Sequence, residues 1–209
     1  MRRAMTGRRF PLAPAKNWKQ RLSRRILQAL GWRIDIAPFP GPRGVLILYP
    51  HTSNWDFPIG ILAKWASGVQ ANWLGKEALF QGWLGKIIGP VLRYWGGEPV
   101  ERSGSTGAIG RLVQRIGQAD WYWLAFAPEG TRRYRPTWRS GFYHIALAAK
   151  VPVGLVYLDF SKKEVGVIDF VELSGDVTVD MAAIRAGYAG RIGLRPELAA
   201  PIELEQRQP

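Results

Sequence analysis

Short apolar runs alternate along this 209-residue chain with segments of helical period, and that alternation constrains its fold more than anything else. Val45-Leu46-Ile47-Leu48-Tyr49 and Trp121-Tyr122-Trp123-Leu124-Ala125-Phe126 are continuous and apolar, the pattern of strands covered on both faces. Further strands are expected at Ala71-Asn72-Trp73-Leu74, at 151–160 and at 165–173. Helices are expected from Asp56 to about Ala66, from Thr106 to Gln118, from Gly141 to Lys150 and over 180–187. Strands interleaved with helices predict an α/β fold: a single domain with a central, mostly parallel or mixed sheet flanked by helices. At this length one core can bury about 70% of the unfolded surface.

Residues 1–40 carry a different signature from 41–209 and are expected to form a basic N-terminal arm ending in an amphipathic helix. Residues 1–43 hold eleven Lys or Arg against the single acid Asp35, within a chain of net charge +13. Such a patch seeks a polyanion, either nucleic acid or anionic lipid. Pro11 and Pro14 oppose regular structure in 1–14, and Asn17 is a good N-cap with Gln20 at the capping-box position and Gly31 as the stop. Trp18, Leu22, Ile26, Ala29 and Leu30 share one face of that helix. Two readings fit: an interfacial anchor, or a surface helix docked on its own core. Pro38, Pro40, Gly41 and Pro42 then form a linker. Residues 78–95 are rich in apolar and aromatic side chains and read as a helix kinked or split at Gly89-Pro90. This segment fits an acyl-pocket wall, a bilayer contact or plain core packing.

Composition narrows the chemistry. With no cysteine there is no thiol nucleophile, disulfide or thiolate metal site, and two histidines, His51 and His144, make a histidine-rich metal centre unexpected. No signal peptide and no membrane-spanning run is expected, so work on lipid would be done from the surface.

Two motifs remain. His51-Thr52-Ser53-Asn54-Trp55-Asp56 begins just beyond the first apolar run. On one continuous helix His51 and Asp56 would diverge, turning through about 500° over five residues. A strand end, a turn and a helix start can instead bring the carboxylate back to the imidazole. Histidine can take a proton from an alcohol near neutral pH, and a carboxylate fixes its tautomer and stabilises the imidazolium. Glu129-Gly130-Thr131-Arg132 follows the second apolar run. Its glycine allows a tight turn, and Arg132 can grip a phosphate bidentately with the Thr131 hydroxyl beside it.

Together these motifs resemble the glycerolipid acyltransferase family, which includes lysophosphatidate (1-acylglycerol-3-phosphate) acyltransferases, over roughly residues 45–160. The resemblance implies that His51 and Asp56 are the catalytic pair, with Ser53 also matching the first family motif. It implies further that Gly96-Gly97 with Arg102, and Pro128 through Arg132, match the blocks that bind the acceptor. Ser53, Gly97, Arg102, Glu129, Gly130, Thr131 and Arg132 are then substrate-binding residues. The apolar Val151-Pro152-Val153 resembles a fourth block. Pro50, Leu155 and the stretch Trp138 to His144 depart from the usual pattern and bear on which acceptor is used.

The expected activity is transfer of a fatty acyl group from acyl-CoA or acyl carrier protein to a lysophospholipid-type hydroxyl. No metal or further cofactor is expected, and the protein is expected in the cytoplasm, peripheral on the inner face of an anionic membrane. Two alternatives compete. A nucleic-acid-binding module would use the basic arm, but no recognition motif for nucleic acid is present. A non-catalytic lipid-binding protein of the same fold would have no use for His51 and Asp56.

Overall fold

The computed structural model describes residues 12–100 and 106–205, so Arg102 lies outside the described residues. Its strands are β1 (Arg33–Ile36), β2 (Arg43–Leu48), β3 (Asn72–Lys76), β4 (Gly97–Val100), β5 (Tyr122–Phe126), β6 (Val153–Asp159) and β7 (Glu164–Val171). They form one seven-stranded sheet in the order β1-β7-β6-β2-β5-β3-β4. Every pairing is parallel except the β6–β7 hairpin, so the sheet is mixed and mostly parallel.

Among the described residues six α-helices flank the sheet: α1 (Trp18–Ala29), α2 (Asp56–Ser67), α3 (Gly82–Tyr94), α4 (Thr106–Gln118), α5 (Gly141–Ala149) and α6 (Val177–Gly187). The two-residue period of a strand sorts the core. Val45 and Ile47 of β2, with Val153, Leu155 and Tyr157 of β6, pack in one cluster with Trp138, Phe142, Ile145 and Ile184. Leu158 and Val165 join Ile59, Ala63 and Ala66 of α2 and Leu27 of α1 in a second cluster. Among the described residues no helix is long and apolar enough to cross a membrane.

Several expectations are corrected. β1 and β4 were not foreseen as strands, and both lie at sheet edges. β1 pairs with β7, and Leu27 and Trp32 pack in the core with Ile59, Ala63 and Ala66 of α2. The helix capped by Asn17 forms, but it docks by another face. Gln20, Ser23 and Leu27 are buried, while Trp18, Leu22, Ile26 and Leu30 are exposed. Tertiary space decides this: Gly68 (φ +76°) leaves room for the Gln20 amide, and Arg24 Nε donates to the Ala66 carbonyl at 2.8 Å.

The break in 78–95 also falls elsewhere. A single 3-10 turn, Glu77–Leu79, is followed by Gly82 at φ +68°, and α3 then runs unbroken through Gly89 and Pro90. Gly85 and Gly89 face the Phe80 backbone, where a Cβ on Gly85 would meet the Phe80 carbonyl carbon at 2.4 Å. The glycines thus seat the turn against the helix instead of ending it.

Candidate active site

The C-terminal end of β2 delivers His51 to the rim of the sheet, and Asp56 opens α2 five residues later. The intervening turn is knitted by short-range bonds. Trp55 N donates to Ser53 Oγ at 3.1 Å, and Ser53 N donates to Asp56 Oδ2 at 2.9 Å. A carboxylate in the first turn of a helix also sits favourably at the positive end of the helix dipole. The outcome is a pair: His51 Nδ1 lies 3.0 Å from Asp56 Oδ2, with the Asp56 side chain 1% exposed and the His51 ring 13%. That is hydrogen-bond distance without full alignment, and Nδ1 has no other partner among the described residues.

The second motif follows β5 and packs against the first. Gly130 has φ +66°, and Arg132 Nε donates to the Ser53 carbonyl at 3.0 Å. Arg132 is therefore fastened to the same turn that carries His51 and Asp56. Glu129 is buried and held by backbone N–H groups. It is 1% exposed; Oε2 accepts the His51 N–H at 2.6 Å and Oε1 accepts the Ala200 N–H at 2.9 Å. Burial raises its pKa, while those two N–H groups pull in the opposite direction. A carboxylate so engaged braces the end of β2 against the C-terminal segment. Nearby, Tyr49 Oη donates to the Ala200 carbonyl and Thr52 Oγ accepts the Arg195 N–H.

A cavity of about 1190 Å³ opens at this turn. It exceeds the roughly 300–1,000 Å³ usual for small-molecule sites. Its wall is mainly apolar, including Leu46, Leu48, Phe57, Ile61, Trp73, Val165 and Val167 on the α2 side of the sheet. His51, Asp56, Gly130, Thr131 and Arg132 line it. Ser53, Gly97 and Glu129 do not. Ser53 organises the turn, and Gly97 is a packing glycine, where a Cβ would meet Trp73 at 2.7 Å and the Leu92 carbonyl at 2.8 Å.

The cavity is also lined by Asn54, Lys76, Arg135 and Arg139, none of which is among the expected site residues. Arg135 Nε is buried without a hydrogen-bond partner among the described residues. The Arg139 guanidinium lies across Gly130, with Nε 2.9 Å from where a Cβ would stand. The signal for these was present, since 131–140 carries Arg132, Arg133, Arg135 and Arg139 with no acid. Lys64, another lining residue, donates to the Trp95 carbonyl at the end of α3, and its pKa is lowered by burial and then by Lys19. Among the described residues no cluster suited to a metal ion occurs.

Arranged this way, the residues can accept a proton at His51, hold an anion at Arg132, Arg135 and Arg139, and shelter a long apolar chain beside both. The structure is similar to that of the 1-acyl-sn-glycerophosphate acyltransferase of Thermotoga maritima, with a TM-score of 0.53 and 16% identity, covering 81% of this chain and 76% of that one. No curated protein sequence matches. The family model described as Acyltransferase matches residues 35–158, which span both motifs and most of the sheet. The chain belongs to the acyltransferase family.

Proposed function

We propose that the protein transfers a fatty acyl group from a thioester donor, acyl-CoA or acyl carrier protein, to a hydroxyl of a lysophospholipid-type acceptor resembling 1-acylglycerol-3-phosphate. His51 Nε2 takes the proton of the acceptor hydroxyl as its oxygen attacks the thioester carbonyl. Asp56 holds the Nδ1–H tautomer and stabilises the imidazolium. The tetrahedral intermediate collapses, the carbon–sulfur bond breaks, and the imidazolium proton passes to the departing thiolate. An ester and a free thiol result. Backbone amides beside the two motifs would stabilise the oxyanion.

The single observation carrying this reading is that base and anion-binding arginine share one turn: His51 lies 3.0 Å from Asp56, and Arg132 is bonded to Ser53 between them. Arg132, with Arg102, would hold the acceptor phosphate, and the apolar cavity would take an acyl chain. The thioester is itself a substrate, so the step calls for no resident cofactor. An anionic membrane would supply the acceptor, with the protein peripheral on its cytoplasmic face.

The test is thiol release from acyl-CoA, and separately from acyl carrier protein, against a panel of lysolipids, with mass analysis of the product. Acceptor-dependent release with a product heavier by one acyl group is the expected result. Release that no acceptor stimulates would refute the proposal.

A further inference from the structure

The large cavity draws its walls from both faces of the sheet. Neighbouring residues of a strand point to opposite faces, and that rule divides the lining. Leu48 of β2, Leu158 of β6 and Val165 of β7 reach the cavity on the face covered by α2, in or against the cluster of Ala63. Leu74 of β3, Phe126 of β5, and Ile109 and Leu112 of α4 reach it on the other face, against the cluster that holds Ile145 of α5. The two limbs meet over the strand ends, at the turn that carries His51 and Asp56. At about 1190 Å³ the whole is more than one small-molecule site ordinarily takes.

Charge tells the limbs apart. Lys76, two residues beyond Leu74 on β3, shares the α4–α5 face and lines the cavity. Arg135 and Arg139 line it from the segment that leads into α5, and Glu205, 4.0 Å from Arg135, is the acid beside them. On the α2 face the lining cation is Lys64, which is already engaged by the Trp95 carbonyl at 2.7 Å.

The two chains of the proposed reaction differ in the same way. In a 1-acylglycerol-3-phosphate-like acceptor, chain and phosphate hang from the carbons on either side of the one bearing the reacting hydroxyl. Whatever holds that chain needs cations at its mouth, and arginine grips phosphate bidentately. In an acyl thioester the phosphates lie a pantetheine arm away, so the chain beside the reacting carbonyl needs apolar walls alone.

We infer that the α4–α5 limb is a subsite for the acceptor's own chain, with Arg132, Arg135 and Arg139 on its phosphate, and that the α2 limb takes the chain being transferred. Both chains then lie inside the protein at once, one on each face of the sheet, and the ester forms between them over the strand ends. The allocation of the limbs rests on the proposed reaction.

The test uses the full chain and a lysophosphatidate analogue whose chain ends in a diazirine, photolysed without donor and mapped by peptide mass spectrometry. Label that unmodified lysophosphatidate competes away is expected within 106–118 and 141–149, the helices α4 and α5. Label on α2 or β7 instead, or no label that competes, would overturn the inference. Kinetics give a second reading on variants shown to be folded by circular dichroism. Leu112→Trp narrows one limb, and Gly60→Leu narrows the other, where a Cβ would meet nothing within 4 Å. Leu112→Trp should raise KM by about tenfold or more for a long-chain acceptor, and far less for a short-chain one, since one methylene of fit is worth about that much. Gly60→Leu should instead shift the preferred donor to a shorter chain. The opposite pairing of variant and substrate would overturn the inference. Competed label on α4 and α5 in a protein that forms no ester would uphold the subsite and refute the proposed reaction, so the two fail separately.

Discussion

The Glu129 carboxylate accepts the backbone N–H of His51 at 2.6 Å, so the second motif holds the first in place from within the fold. Its other oxygen accepts the Ala200 N–H, and the side chain is buried between the two. Glu129→Gln exchanges one acceptor for an NH₂ that faces an N–H donor. The variant should lose about 1–3 kcal/mol of stability, the cost of an unmet buried polar group. By displacing His51 it should also cut kcat by about 100-fold, with a smaller change in the acceptor KM. Chemical denaturation and steady-state kinetics read the two effects separately.

Asp56→Asn tests the charge behind the base. The Asn side-chain oxygen can still accept the Ser53 N–H that Asp56 Oδ2 accepts at 2.9 Å. That same oxygen is the one facing His51 Nδ1 at 3.0 Å, so the amide can still accept there but brings no charge to stabilise the imidazolium. The fold should survive while kcat drops by about 10²–10⁴. Thiol-release kinetics on protein of unchanged melting temperature decide the matter.

Gly130 serves both backbone and neighbour. At φ +66°, with Arg139 Nε 2.9 Å from the position of a Cβ, Gly130→Ala strains the turn and pushes the guanidinium off it. A left-handed conformation costs an L-residue about 1–2 kcal/mol, which should appear as lost stability. Activity should suffer chiefly through a raised KM for an anionic substrate, as it should in Arg139→Ala, where the backbone is untouched. Kinetics on both variants test whether the shared loss is that of Arg139.

Two buried carboxylates tie stability to pH in opposite senses. Burial raises the pKa of Glu129, so its contribution is complete below its unfolded pKa and is lost as pH rises through the folded value. For Asp180 burial works the same way but is outweighed by donors: the Ser174 N–H and hydroxyl, the Tyr143 hydroxyl and the Gly175 N–H. Its pKa falls below the ordinary value of 3.8, so its contribution is present above that pH and is lost as pH falls through the folded value. Urea denaturation across pH should therefore show Asp180→Asn less stable near neutrality, with a shallower loss in strong acid. Glu129→Gln should flatten the weakly acidic limb instead.

The alternation of apolar runs with helical segments made the α/β class legible, and the run ending at Tyr49 placed His51 at a strand end. The joining of His51 to Asp56 followed from that setting. Glu129 was not legible as a brace, because its partners are backbone N–H groups and Ala200 lies 71 residues away. β4 contains Gly97 and Pro99 and follows Gly96, so its local chemistry reads as a break, and only pairing with β3 at the sheet edge makes it a strand. In α1 the period showed an apolar face, but which face turns inward depended on the space beside Gly68 and Ala66. Arg135 and Arg139 were visible as charge in an acid-free stretch; their gathering at one cavity was not.

The central claim is that His51 is the general base of an acyl transfer, and His51→Ala tests it most directly. Ester product should be measured by mass spectrometry from a thioester donor and the best lysolipid acceptor, beside a circular dichroism check of folding. The predicted result is a folded protein whose rate of product formation is lower by about 10³ or more. A folded His51→Ala protein forming product within about tenfold of the wild-type rate would contradict the mechanism, because a lost general base costs at least 10²-fold.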